Sequence, residues 1–375
     1  MGYGVLFTVV GDFRDEYGIS ETAIGFVIGV GFLAAFVAQV FIAPLGDRGH
    51  ARRLFVVGAL ANMIGLFFMG FGESLELILF GRIVSGIGIG TAVPAVRRIV
   101  ILSDPGNLGR NLGRLLSAGV GGFALGPAVS AVLVGPAGLA APFVVVAVLN
   151  LLFLMPVVTF PVEESESTSH HGLALDLLGH RLLLGALVLG SASFMMIGTF
   201  DALWDVVHED LDTPTWMANL GITLFAVPLV VFGPVAGRWA QTYGPFKLAA
   251  GGLVVAAAFM FSYGQLPSGE WIFAVSLAHA MTDGLTFAAP GVAIAMVVDR
   301  DRQAAAQGLM GAAQSIVAGV TAIVMGTLYD SSGRSVAYTV SAISMAVFIA
   351  IGMGLAASFW TSGRHKAAAT AEAVA

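Results

Sequence analysis

The chain has 375 residues, of which 57% are hydrophobic and only 11% are charged, and its mean hydropathy is +0.91. A soluble domain is about half apolar and about a quarter charged, so this composition excludes an ordinary soluble protein. Cysteine is absent, which excludes disulfides, cysteine-based zinc sites and thiol catalysis. The composition predicts an all-α, polytopic membrane protein surrounded by lipid, with no nucleic-acid partner and no cofactor.

Long apolar runs predict the membrane spans, because a helix needs about 20 apolar residues to cross the hydrocarbon layer. Eleven runs are predicted to span: 23–45, 54–71, 74–100, 111–134, 139–160, 182–203, 215–236, 248–266, 271–298, 307–329 and 335–360. The segment 1–13 is apolar but only about 20 Å long as a helix. We interpret it as the end of a truncated first span that starts upstream, with an outer loop at 12–21.

An acidic, serine-rich linker at 161–181 divides the predicted spans. It separates an N-terminal bundle at 1–160 from a C-terminal bundle at 182–360, and a short tail follows at 361–375. Each half begins with an acidic outer turn, a span and a short inner turn. This weak internal repeat predicts two six-helix bundles, as in transporters built from parallel repeats.

The short hinge at 43–53 carries four charges within seven residues, and its length makes the flanking spans antiparallel neighbours. If the hinge is cytoplasmic, 14 of the arginines and lysines fall inside and two fall outside. Such a bias sets membrane orientation. It predicts that the linker and the C-terminus are cytoplasmic, in a multi-pass protein of the plasma membrane.

The hinge also resembles the signature G-x-x-x-D-R-x-G-R-R of the major facilitator superfamily. Asp47 and Arg48 stand at its Asp-Arg positions, Ala43 replaces its first glycine, and Arg52 fills its last position. The resemblance implies a conformational latch formed by Asp47, Arg48 and Arg52. In that latch the aspartate caps a span-11 helix end, here near 303–307, where an anion gains about 0.3–1 kcal/mol from the helix dipole.

Span 5 carries a second resemblance, to the pattern G-x-x-x-G-P-x-x-G-G of the superfamily's drug/proton antiporters. Gly122, Gly126 and Pro127 match it, whereas Ser130 and Ala131 replace the last two glycines. Small residues let helix backbones approach closely in lipid, so these positions are predicted to pack against another helix. The resemblance covers the first half of the chain, and the second half shares mainly the span count.

Arg82 lies roughly 12 Å into span 4, at the start of a stretch that resembles the family pattern R-x-x-x-G-x-G. A charge buried in lipid is costly, so we expect this side chain to face the bundle interior with a charged partner. One interpretation is a structural ion pair between helices. The resemblance implies the other, which is a role in proton exchange.

Asp283 is the acid that the sequence places closest to the middle of the membrane, in the span that starts near residue 271. His279 precedes it by four residues and therefore shares its helix face. Burial favours the neutral form of a carboxylic acid, which would let this group bind and release protons. The alternative is an ordinary hydrogen bond between helices.

These features predict a secondary active transporter that works as a monomer by alternating access. The preferred interpretation is efflux of small apolar or amphipathic compounds in exchange for protons. A proton-coupled importer or facilitator of a polar metabolite, on the same fold, is the first alternative. A non-transporting membrane sensor is the second, and an intramembrane enzyme is disfavoured because no nucleophile–base pair or metal cluster is seen in the sequence.

Overall fold

The computed structural model describes residues 1–19, 21–159 and 174–361, and within these ranges every regular element is a helix. The tail beyond residue 361 and most of the linker lie outside the described residues. The helices are α1 Gly2–Tyr17, α2 Glu21–Phe41, α3 Ala51–Phe71, α4 Leu75–Ser103, α5 Leu108–Ala137, α6 Ala140–Thr159, α7 Arg181–Asp210, α8 Thr215–Tyr243, α9 Pro245–Tyr263, α10 Gly269–Thr286, α11 Ala289–Val297, α12 Gln303–Leu355 and α13 Ala357–Thr361. The all-α prediction is confirmed.

Ten helical stretches among the described residues are long and apolar enough to cross a membrane. One of them, α12, contains two predicted spans, because Gly333 interrupts it with a left-handed φ of 81°. Dividing α12 at this glycine gives the eleven spans that the sequence predicts. The short helix α1, with 16 residues, precedes them.

The predicted outer loop at 12–21 is wrong in its first part, because α1 continues to Tyr17. Gly18 follows with a φ of 65°, a backbone conformation that commonly ends a helix and that glycine adopts without strain. The apolar pattern stops at Phe13, but helical hydrogen bonding continues through polar residues until this glycine.

One compact unit comprises Met1–Ser103, Gly119–Leu175 and Arg300–Ala312. Its core joins α1, α3 and α6, with buried side chains such as Val9, Leu66 and Phe143. The start of α12 belongs to this unit because Arg300–Ala312 packs on the first half of the chain.

The other compact unit comprises Asp104–Ala118, Asp176–Asp299 and Ala313–Ala375. Here the start of α5 crosses α8 through facing glycines, and a Cβ built on Gly113 would overlap the carbonyl oxygen of Gly233. Small residues at such crossings allow the close backbone approach that packs helices in lipid.

Candidate functional site

His279 and Asp283 form a buried pair on α10, within the second unit. Their side chains are 0% and 5% exposed, and the His279 Nε2 atom lies 3.6 Å from the Asp283 Oδ2 atom. The spacing of four residues places both on one face of the helix, as the sequence predicts. The shared face is thus confirmed by the geometry.

A break in the span lies one turn beyond Asp283. The helix α10 ends at Thr286, and α11 begins at Ala289 with Pro290 in its first turn. Proline has no N–H, so the carbonyl group of Thr286 cannot receive the hydrogen bond that would continue the helix. The single predicted span 271–298 is therefore two helices that meet beside the buried acid.

A small cavity adjoins the break, and Asp283 is the ionisable group in its lining. It has room for about one water molecule. The other lining residues are uncharged and mostly apolar: Ser193, Met196, Ala249, Leu253, Thr286, Phe287 and Pro290. The cavity suits a proton or a water molecule and is too small for an organic substrate.

The imidazole of His279 is enclosed by aromatic rings from neighbouring helices. The Tyr263 hydroxyl lies 3.0 Å from its Nδ1 atom. Phe259 stacks on the imidazole at 4.9 Å between ring centroids, and Phe225 meets it edge-on at 5.5 Å. The sequence interpretation does not include Tyr263, because a partner 16 residues away on another helix leaves no periodic signal.

The hydrogen bonding of this pair is incomplete. At 3.6 Å the contact between His279 and Asp283 is too long for a hydrogen bond. Among the described residues, neither His279 Nε2 nor Asp283 Oδ2 has a hydrogen-bond partner. A buried charge without partners is costly, so this arrangement favours a neutral, protonated acid.

Asp47 occupies a very different buried site, within the first unit. Its Oδ1 atom accepts a hydrogen bond from the backbone N–H of Ala304 at 2.9 Å, and its Oδ2 atom accepts one from Ala305 at 2.8 Å. These N–H groups belong to the first turn of α12, which has no intrahelical acceptor for them. The position near 303–307 that the resemblance implies is confirmed as the contact site, whereas the latch role stays a prediction.

A cation that the sequence prediction does not include lies beside Asp47. Arg98 on α4 donates from Nε to Asp47 Oδ1 at 3.0 Å and is 1% exposed. The predicted latch partners Arg48 and Arg52 are respectively exposed and half-buried. The sequence gives no local sign of this contact, because Asp47 and Arg98 are 51 residues apart in the chain.

Arg98 stands 16 residues after Arg82 on α4, and both side chains are buried. An ideal helix turns through about 160° over this separation, so the two positions point to different faces and helical periodicity from Arg82 does not predict the burial of Arg98.

Arg82 is buried in the first unit as predicted, but the expected acidic partner is wrong. Its Nε donates to the carbonyl oxygen of Val27 at 3.3 Å, and its Nη2 to that of Ile28 at 3.5 Å. The guanidinium lies 5.0 Å from the ring centroid of Tyr3 and 5.8 Å from that of Phe32. Backbone carbonyls and aromatic faces stabilise this cation, and no carboxylate among the described residues lies within ion-pair distance.

The predicted packing residues of span 5 lie in the middle of α5. A Cβ at Gly126 would lie 2.6 Å from the carbonyl carbon of Gly4 on α1, which shows a close helix crossing. Gly122 is less confined, since a Cβ there would meet the backbone nitrogen of Met1 at 3.4 Å. Pro127 lies within the helix without ending it.

Comparison with known proteins gives both sequence and structural relatives. The multidrug resistance protein MdtG of Enterobacter lignolyticus (strain SCF1) is 25% identical over 256 residues, which cover 65% of this chain and 61% of MdtG. MdtG of Salmonella typhimurium (strain LT2) is 24% identical over 258 residues, which cover 65% of this chain and 63% of that protein. The matched region thus spans about three fifths of the length of these relatives.

Solved structures match over almost the full length. The human organic anion transporter MFSD10 (TETRAN) superposes with a TM-score of 0.73 at 15% identity, covering 94% of this chain and 95% of the other. The proton:xylose symporter XylE, bound to 6-bromo-6-deoxy-D-glucose, gives a TM-score of 0.73 at 17% identity. The superposition covers 96% of this chain and 92% of XylE. At such identity the likeness concerns the fold alone.

The family comparison agrees with the fold. The model of the Major Facilitator Superfamily matches residues 1–218 and 182–373. The two matched regions together cover nearly the whole chain, and the structural neighbours share its architecture. The chain therefore belongs to the Major Facilitator Superfamily of membrane transporters.

Proposed function

We propose that this protein exports small apolar or amphipathic compounds in exchange for protons, by alternating access. The observation that carries the proposal is the incompletely bonded pair of His279 and Asp283, buried beside the break between α10 and α11. Family membership supports secondary transport. The coupling ion and the direction are the finer parts of the proposal.

Proton coupling follows from the cost of burying Asp283. A buried carboxylate without a bonded cation is costly, whereas the neutral acid is tolerated, so loss of the proton changes the stability of this packing. The helix break beside the acid gives the span a point at which it can bend. A proton with different affinities for two conformations shifts the balance between them, as any ligand does.

The direction and substrate class rest on the relatives and the charge bias. MdtG is named a multidrug resistance protein, which favours export of varied apolar compounds. The excess of arginine and lysine on one side supports a cytoplasmic location for the hinge, the linker and the C-terminus. We further propose a monomer of the plasma membrane with helical bundles at 1–160 and 182–360.

The site around Asp47 would act as the latch of this cycle. Its carboxylate caps the first turn of α12, so separation of Asp47 from that turn would expose two N–H groups and the anion. These contacts stabilise one conformation, and each transport cycle would break and remake them. In this proposal Asp47 governs the rate, whereas Asp283 governs the coupling to protons.

The test uses purified protein in sealed proteoliposomes with an imposed pH gradient and a panel of amphipathic fluorescent dyes. We expect Asp283→Asn to abolish gradient-driven dye accumulation and to leave downhill exchange. Asp212→Asn is the matched control, because Asp212 is exposed in the turn after α7 and its φ of 49° suits asparagine equally. This control should transport as the wild type does.

Gradient-driven accumulation by Asp283→Asn at the wild-type level would contradict the proposed proton site. Asp12 and Asp201 would then be the next acids to test. If no dye moves with either sign of the gradient while a sugar or another polar metabolite does, the importer is the correct alternative.

A further inference from the structure

Tyr263 is the last residue of α9, and its side chain reaches the buried pair on α10. The residue is 0% exposed, and its hydroxyl lies 3.0 Å from His279 Nδ1. A tyrosine hydroxyl can donate to an imidazole nitrogen, and the nitrogen that accepts is then the one without a proton. With the tyrosine as donor, the proton of the neutral imidazole resides on Nε2.

Nε2 is the nitrogen that faces Asp283, at 3.6 Å from Oδ2. A hydrogen bond at one ring nitrogen therefore determines what the other nitrogen presents to the acid. We infer that Tyr263 is a positioning residue, which donates to His279 Nδ1 and so directs the Nε2 proton of this ring at Asp283. This inference rests on the proposed function of Asp283 as the proton site.

Packing and hydrogen bonding have separable roles here. The rings of Phe259 and Phe225 hold the imidazole in place and carry no polar group. They restrict its position but do not distinguish its two nitrogens. Among the described residues, the Tyr263 hydroxyl is the group that contacts Nδ1, so its removal should alter the proton affinity of the site without emptying the aromatic enclosure.

The groups that face the pair from other helices are few within the described residues. The helix α9 supplies Tyr263, and the second half of α12 supplies Tyr338, whose ring centroid is 5.7 Å from that of Tyr263. The helices α7 and α8 supply the phenyl rings of Phe200 and Phe225. No lysine or arginine of the described residues forms a salt bridge with the acid.

Tyr338 provides a matched control. It is also 0% exposed, and its hydroxyl has no hydrogen-bond partner among the described residues. Tyr338→Phe and Tyr263→Phe thus remove the same atom from two equally buried rings. Of these two substitutions, Tyr263→Phe is the one that removes a hydrogen bond to His279.

The experiment is an infrared pH titration of the purified protein in lipid vesicles. The carbonyl band of protonated Asp283 is identified as the band that is missing in Asp283→Asn. We expect Tyr263→Phe to move the midpoint of this band about half to one unit towards alkaline pH, because the Nε2 proton that favours the carboxylate is no longer directed at it. Tyr338→Phe should titrate with the wild-type midpoint.

A wild-type midpoint in Tyr263→Phe would overturn the inference, as would an equal shift in Tyr338→Phe. His279→Phe provides a second route, since Tyr263 can act only through this ring. Adding Tyr263→Phe to His279→Phe should cause no further shift, and this double variant leaves no unpaired polar partner that would prevent folding. A further shift in the double variant would also overturn the inference.

The outcomes separate this inference from the proposed function. If Asp283→Asn lacks gradient-driven transport and Tyr263→Phe has the wild-type midpoint, the proton site stands and the positioning role falls. If Asp283→Asn retains gradient-driven transport, or if its spectrum still contains every carboxyl band of the wild type, the proposed proton site fails. The role of Tyr263 then fails with it.

Discussion

Two buried aspartates of this protein have the same exposure and opposite surroundings. Asp47 and Asp283 are each 4% exposed. Asp47 accepts hydrogen bonds from two backbone N–H groups and from Arg98, whereas Asp283 Oδ2 has only a long contact to a histidine. Burial alone therefore does not determine the state of an acid. The donors around it determine whether it remains an anion or exchanges a proton.

The difference fits the separate tasks that we propose for the two residues. A carboxylate with three donors, one of them cationic, is stable as an anion and can hold a helix terminus in place. An acid without such donors is stable when neutral and becomes costly once it loses its proton. The first arrangement suits a conformational contact, and the second suits coupling to a proton gradient.

The largest expected effect on stability is that of Arg98→Ala. Removal of one partner leaves the other charge buried and unpaired, which costs about 3–5 kcal/mol. Thermal unfolding in detergent should show this loss. Arg48→Ala is the control, because Arg48 is exposed and its removal should cost about 0.5 kcal/mol or less. Equal losses in the two variants would show that the partner of Asp47 has been misidentified.

Asp47→Asn should lower the free energy of unfolding by less, about 1–3 kcal/mol. The amide keeps the shape and one acceptor oxygen, but it loses the charge that faces Arg98 and one of the accepted N–H bonds. Membrane insertion should be normal because the arginines are unchanged, and transport should be slower. Wild-type turnover in this variant would mean that the hinge only anchors the topology.

Asp283→Asn should change stability least, by about 1 kcal/mol or less, because it replaces a neutral acid that has no hydrogen bond at Oδ2. The loss is measured as the change in unfolding temperature in detergent, and it is compared with that of Asp47→Asn under the same conditions. A loss at Asp283 larger than that at Asp47 would reverse the comparison and indicate a structural acid.

The sequence predicts the local parts of this account well. The shared face of His279 and Asp283 follows from helical spacing within one segment, and the all-α fold follows from apolar run length. The contact of Asp47 with the start of α12 came from a family resemblance, since no local pattern links residues more than 250 positions apart.

The partners on other helices could not be predicted in the same way. Arg98, Tyr263 and the carbonyl groups around Arg82 meet their partners only after the helices pack. The rule that a buried cation pairs with an acid fails at Arg82, because aromatic rings and backbone carbonyls supply the electron density instead. The end of α1 lies beyond its apolar pattern, because the polarity of a segment does not determine where a glycine ends its helix.

The most direct test of the comparison measures both the rate and the end point of gradient-driven dye accumulation in sealed proteoliposomes, with protein content matched. The steady-state accumulation ratio reports coupling, whereas the initial rate reports the conformational step. We predict that Asp47→Asn accumulates dye slowly but reaches the wild-type ratio, and that Asp283→Asn accumulates none. A reduced ratio in Asp47→Asn together with a wild-type ratio in Asp283→Asn would contradict the account.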